Sequence, residues 1–115
     1  MKWLLVAGLL LGFVTQASAW NDDELADAIY WAEGGAKAFY GISVTLHHND
    51  INEARRICLN TIRNQHKRHQ AHACGKDYLT CLWHRYCPPS AHKLNKNWKK
   101  NVTYYLNNPK GVSHE

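Results

Sequence analysis

The chain has 115 residues, 45% of them hydrophobic and 20% charged, with a formal net charge of +5. The length allows one domain with one modest core. The charge is unevenly spread: seven acids against Lys37 between Trp20 and Glu53, then twelve Lys/Arg against Asp77 and Glu115.

In chain order, Lys2 opens the sequence and an uncharged apolar run extends from Trp3 to Val14. Thr15, Gln16 and the small triplet Ala17-Ser18-Ala19 follow, which fits an A-x-A cleavage site. The run is shorter than the roughly 20 residues a spanning helix needs. Residues 1–19 therefore read as a signal peptide, with the mature chain starting at Trp20. No second apolar span follows, so the expectation is a secreted or periplasmic protein with no stable membrane anchor.

The rest reads as a mainly α domain over 20–115. A first helix starts at Asp22 or Asp23, repeats Leu25, Ile29 and Ala32 at helical spacing, and stops at Gly34-Gly35. Ala36 to Leu46, with the β-prone Ile42-Ser43-Val44-Thr45-Leu46, predicts a loop or short β-hairpin. A second helix is capped by Asp50 with Glu53 three residues on, burying Ile51, Ala54, Ile57, Cys58 and Ile62. Arg55, Arg56, Arg63, Lys67 and Arg68 are expected outside. A third helix from about Asp77 to Tyr86 buries Tyr78, Leu79, Leu82 and Tyr86, and Pro88-Pro89 stops it. The last helix starts near Ser90 and packs Leu94, Trp98, Val102 and Tyr105.

The cysteines, Cys58, Cys74, Cys81 and Cys87, form no C-x-x-C knuckle, so an exported chain would use them for disulfides rather than zinc. Four cysteines allow three pairings, all open at this point. Of the eight histidines, His66, His69 and His72 are spaced three apart, but neither a carboxylate nor a cysteine completes a ligand set. They read as solvated side chains on a basic helix, and no metal or other cofactor is expected.

Glu33 is the candidate for chemistry. It ends the first helix, where the negative end of the helix dipole favours a protonated carboxyl. Trp31, Phe39 and Tyr40 can supply apolar walls that raise its pKa further, and the adjacent glycines leave room for a large substrate. An ordinary exposed Glu ahead of a glycine C-cap has the same local pattern.

Ala32-Glu33-Gly34-Gly35 followed by Tyr40-Gly41-Ile42-Ser43 resembles the start of the lysozyme-like superfamily, notably small phage and bacterial muramidases and lytic transglycosylases. Arg56-Ile57-Cys58-Leu59-Asn60-Thr61-Ile62, Arg85-Tyr86-Cys87-Pro88 and Leu94-Asn95-Lys96-Asn97-Trp98 with Asn101-Val102 resemble short proteins of that type. The resemblance implies a small lysozyme-like domain with Glu33 as catalytic acid on the glycosidic bond of peptidoglycan. Tyr40, Gly41, Ser43, Thr45 and Tyr104 become candidate substrate contacts, with core packing as the competing role for Tyr105. It also implies a Cys58–Cys87 bridge, leaving Cys74–Cys81 to close a local loop. Many relatives place an Asp in the hairpin after the Glu, whereas Ala36 to Leu46 contains no carboxylate. A single-Glu mechanism of the lytic transglycosylase kind fits that departure.

The expected partner is peptidoglycan or another anionic envelope polymer, met by a monomer, and nucleic acid is not expected. Two further classes compete: a non-catalytic secreted binding module on the same scaffold, and a cationic membrane-active protein.

Overall fold

Helix α1, Asp22–Ala32, begins one residue earlier than the aspartates suggest. The Asn21 side chain accepts from the Glu24 backbone N–H at 2.8 Å, and the Asn21 N–H donates back to Glu24 Oε1 at 2.9 Å. This reciprocal box satisfies two orphan donors and leaves Asp22, Asp23 and Glu24 in the first turn, where the dipole favours acids. The computed structural model describes residues 20–42, 50–71 and 74–112. The signal peptide expected over 1–19 lies outside the described residues.

After α1 come two 3₁₀ turns, Gly35–Lys37 and Phe39–Gly41, in place of the first part of the expected loop or hairpin. Most of the hairpin proper, with Ser43 and Thr45, lies outside the described residues, among which there is no strand. Helix α2, Ile51–Gln70, is capped by Asp50, whose carboxylate accepts from the Asn52 N–H at 2.9 Å. Helix α3, Tyr78–Tyr86, is capped by Asp77 through the Thr80 N–H. Helix α4, Trp98–Asn107, follows a 3₁₀ segment at Lys93–Asn97. The mainly helical expectation therefore holds.

The order of packing explains where the core sits. Helix α1 packs most extensively on α4 and also on α2, while α2 carries α3 on its other side. Leu25, Ala26, Ala28, Ile29 and Tyr30 are all buried, nearly half of α1, which makes it the central helix. Ala54, Cys58 and Ile62 of α2, Leu79 and Leu82 of α3, and Trp98 and Val102 of α4 complete the core with Tyr40.

Three expectations are corrected. Leu94 is 66% exposed, because α4 begins only at Trp98 and the preceding 3₁₀ turn points it outward. Ile51 and Ile57 are only half-buried, while Gln65 is buried at 2% exposure and accepts from the Arg68 guanidinium at 3.2 Å. Arg55 is turned inward, with 22% of its side chain exposed.

Polar ties fix the helices at named points. Tyr78 donates its hydroxyl to the Ile62 carbonyl at 2.9 Å, joining α3 to α2. Lys99 Nζ donates to Thr80 Oγ1 at 2.6 Å, joining α4 to the start of α3. Trp83 Nε1 donates to the Asn95 carbonyl and Asn95 Nδ2 to the Pro88 carbonyl, both at 2.8 Å, which secures the α3–α4 connection. Leu82 is fully buried at the centre of this arrangement. Leu82→Ala should cost about 3 kcal/mol of folding stability, read as a lower urea midpoint with an unchanged slope.

Candidate active site

Glu33 caps the C-terminus of α1, its N–H donating to the Ile29 carbonyl at 2.9 Å. The chain then reverses through Gly34 and Gly35, at φ 120° and 81°, values that L side chains rarely adopt. A second reversal is more costly. Phe39 and Tyr40 lie at φ 50° and 58°, and Gly41 continues at 76°. Left-handed backbone costs a non-glycine residue roughly 1–2 kcal/mol, so two in succession require support from their surroundings.

Tyr40 carries that support. Its side chain is 0% exposed, packed edge-on to Tyr30 with ring centroids 5.2 Å apart. Arg55 donates to its hydroxyl at 3.0 Å and, through the same nitrogen, to Asp27 Oδ1 at 2.8 Å. The other terminal nitrogen of Arg55 reaches Asp23 Oδ1 at 3.2 Å. On the backbone side, the Tyr86 hydroxyl donates to the Tyr40 carbonyl. The ring is thus gripped from α2 and the carbonyl from the end of α3.

The turn delivers Gly41 against Glu33. A Cβ built on Gly41 would overlap the Glu33 carboxylate, so the second half of the sequence motif forms a floor under the first. Glu33 is half-buried, and among the described residues no cation pairs with it. Burial pushes its pKa from 4.5 up to about 6.

Three other titratable groups lie within reach of the Glu33 charge. Burial pushes the Cys58 thiol up to about 12 and the Cys87 thiol up to about 11, and the negative charge of Glu33 adds to both. Burial likewise holds the Tyr86 hydroxyl well above its ordinary range. All three stay protonated near neutrality, so the thiols are poor nucleophiles. Glu33 alone among these four changes protonation near pH 6.

The cysteines correct one expectation. Cys74 and Cys81 form a disulfide with Cα atoms 5.8 Å apart. Cys58 and Cys87 are free thiols, so the bridge implied by the family resemblance is not formed. The Cys58 sulfur meets the hydroxyl of Tyr86, the residue before Cys87, in place of the Cys87 sulfur.

The remaining site candidates separate. Tyr40 is fully buried, so its ring supports the site from beneath and does not line a substrate surface. Gly41 adjoins Glu33, whereas Ser43 and Thr45 lie outside the described residues. Tyr104 is 58% exposed on α4, with its ring edge-on to Tyr105 at 5.1 Å, and no described contact joins it to Glu33. Trp31 is half-buried, but its indole N–H donates to the Lys110 carbonyl at 2.9 Å and Lys110 Nζ lies 4.0 Å over its ring. It serves the C-terminal segment.

A cavity of about 150 Å³ opens on that side, lined by Glu24, Asp27, Tyr105, Leu106, Pro109, Lys110 and Gly111. Glu33 is not among its walls, and both carboxylates there are engaged, Glu24 with Asn21 and Asp27 with Arg55. The cavity and Glu33 are therefore separate places in the fold. Among the described residues, no group of three or more His, Cys, Asp or Glu side chains could hold a metal ion. His66 lies 2.9 Å from Asp22 and stacks on Tyr78 with centroids 4.4 Å apart, and His69 lies edge-on to the same ring. No helix among the described residues is long and apolar enough to cross a membrane.

Comparison with protein families, curated proteins and solved structures finds no match to this chain.

Sequence reasoning missed Arg55, Asp27 and Tyr86. The signal for Arg55 was present: residues 51, 55, 58 and 62 step at helical spacing along the stripe that faces α1. A single charge on that line marks a position where a buried partner is needed.

Two outcomes follow from the Glu33–Gly41 contact. A carboxyl whose pKa is raised by folding stabilises most below about 4.5 and loses that contribution as pH rises through about 6. Glu33→Gln should therefore exceed the parent in stability at pH 8 by about 1 kcal/mol, a value reduced for solvent screening, and show no advantage at pH 4. Thermal denaturation at the two pH values measures this. Gly41→Ala should lose about 2 kcal/mol in urea unfolding, from the left-handed backbone and the displaced carboxylate. Gly111→Ala, with open space around its Cβ, should be nearly neutral.

Proposed function

We propose that this chain is an exported peptidoglycan-cleaving glycosidase or lytic transglycosylase in which Glu33 is the single general acid and base. The observation that carries this reading is a half-buried carboxyl with no described cation partner, seated on Gly41 and holding its proton to about pH 6. A general acid works best when its pKa lies near the working pH. The resemblance of the Glu33-Gly34-Gly35 and Tyr40-Gly41-Ile42 segments to the lysozyme-like superfamily points to the glycosidic bond between two amino sugars. The basic second half of the chain suits an anionic wall polymer.

In this mechanism protonated Glu33 gives its proton to the glycosidic oxygen while positive charge develops at C1 and the ring oxygen. The leaving sugar departs with that proton. The Glu33 carboxylate then takes a proton from the incoming hydroxyl as its oxygen bonds to C1. If the sugar's own 6-hydroxyl attacks, the product is an anhydro sugar; if water attacks, it is a reducing end. The absence of a carboxylate from Ala36 to Leu46 favours the first outcome, since no second acid is supplied there to act as a partner.

A second reading has one specific observation in its favour. The cavity at Glu24, Asp27 and Lys110 lies away from Glu33, which suits a binding module on the same scaffold with no turnover. Wall binding without released muropeptides would select it.

Zymography on purified cell wall, with mass spectrometry of the products, tests the enzyme. The parent should release anhydro muropeptides, fastest at or below about pH 6 where Glu33 keeps its proton. Glu33→Gln should fall by at least about 100-fold, the usual size of a general-acid contribution. Equal clearing by the two proteins would remove Glu33 from the mechanism.

A further inference from the structure

We infer that Tyr86 and Arg55 are positioning residues for Glu33: by gripping Tyr40 at its two ends they hold Gly41 against the Glu33 carboxylate. This rests on the reading of Glu33 as the acid and extends it to side chains whose described hydrogen bonds and ion pairs go to other groups.

The constraint begins in the turn. Phe39 and Tyr40 occupy left-handed backbone that neither residue type favours, and Gly41 reaches Glu33 only because the chain takes that path. Local hydrogen bonds alone do not select it. The Gly41 N–H donates to the Ala38 carbonyl at 2.8 Å and the Ile42 N–H to the Phe39 carbonyl at 3.1 Å, bonds common to many short turns. The selective contacts come from a distance in sequence. Arg55 holds the Tyr40 hydroxyl from 15 residues away, and Tyr86 holds the Tyr40 carbonyl from 46 residues away.

The two grips act on different atoms. The hydroxyl grip fixes where the Tyr40 ring ends, and Arg55 is itself fixed by Asp27 at 2.8 Å and Asp23 at 3.2 Å. The carbonyl grip fixes the rotation of the Tyr40–Gly41 peptide, which sets the height of Gly41 under the carboxylate. Loss of either grip lets the turn relax toward ordinary backbone. Gly41 then moves away, water reaches Glu33, and the carboxyl becomes a stronger acid.

The groups facing Glu33 leave solvent access as the variable. Cys58 from α2, Tyr86 and Cys87 from the end of α3, and Tyr40 beneath them all remain neutral near pH 7. No described ion pair joins Glu33 to a cation, and Arg55 and Asp27 are joined to each other. A change in Glu33 acidity on removing the Tyr86 hydroxyl therefore reports access of water to Glu33 and not a new charge.

The experiment follows the Glu33 carboxyl by carbon NMR titration and wall cleavage by pH profile, in the parent, Tyr86→Phe, Tyr40→Phe and Arg55→Lys. Tyr86→Phe and Tyr40→Phe each delete one hydroxyl and keep the ring, so the core stays filled. Arg55→Lys keeps the charge but loses the fork that joins Tyr40 to Asp27. Arg56→Gln, whose parent side chain is 64% exposed on the outer face of α2, is the control.

For Tyr86→Phe the Glu33 midpoint should fall from about 6 toward 4.5. Full relaxation would cut cleavage at pH 7 about 30-fold and leave it nearly unchanged at pH 4, with the loss in kcat rather than KM. Tyr40→Phe and Arg55→Lys should move both readouts in the same direction, and Arg56→Gln should move neither. A folded Tyr86→Phe and Tyr40→Phe with the parent's titration midpoint would overturn the inference. If one variant does not fold, the other decides. A midpoint that moves in a protein whose parent cleaves no wall would uphold the positioning and remove the proposed reaction, so the two failures are distinguishable.

Discussion

The structure depends on one half-buried charge being satisfied. Arg55 enters the interface between α1 and α2, and a guanidinium there is tolerable only if its donors find acceptors. Asp27 of α1 supplies the opposing charge, and the Tyr40 hydroxyl supplies a neutral acceptor. The consequence extends beyond the pair. Because Tyr40 is the third member, the cost of leaving a half-buried charge unpaired is coupled to the path of the Phe39–Gly41 turn. The central helix, the long helix and the strained turn are therefore one unit, with Glu33 at its edge.

That unit keeps the proton chemistry simple. Around Glu33 the protein places thiols and phenols, which burial keeps protonated, together with a glycine that contributes no side chain. A carboxyl in such surroundings loses hydration without gaining a counter-ion, the combination that makes it a weaker acid than an exposed one. The same local economy limits what else the site can do. The free thiols of Cys58 and Cys87 are not activated as nucleophiles, and the described residues offer no metal cluster.

Much of the fold was legible because it follows short-range rules. Asp50 reads as a cap and is one, the third helix starts beside Asp77 as its sequence suggests, and the apolar spacing of Leu25 and Ile29 marks a helix that the structure buries. Glu33 and Gly41 were readable as a motif, but their contact was not, since it arises from two left-handed residues that no propensity favours. Arg55 was read as a surface charge because charge in a helix is usually solvated, and the long-range partners that draw it inward cannot be seen in a local window. Leu94 was misread for a different reason: the apolar spacing ran unbroken across a junction where the backbone changes from 3₁₀ to α. The disulfide expected between α2 and the end of α3 gives way to contact between Cys58 and Tyr86.

The Cys74–Cys81 bond spans a sequence separation of only 7, so it secures a local turn and contributes little to holding distant segments together. Closure over long range falls to the packing of α1 on α4 and to contacts such as Trp31 with Lys110, 79 residues apart. This sets a timetable for the nascent chain. The helix that ends at Glu33 is made early, yet the α4 surface it packs on is made much later, so the domain matures only after α4 has been synthesised.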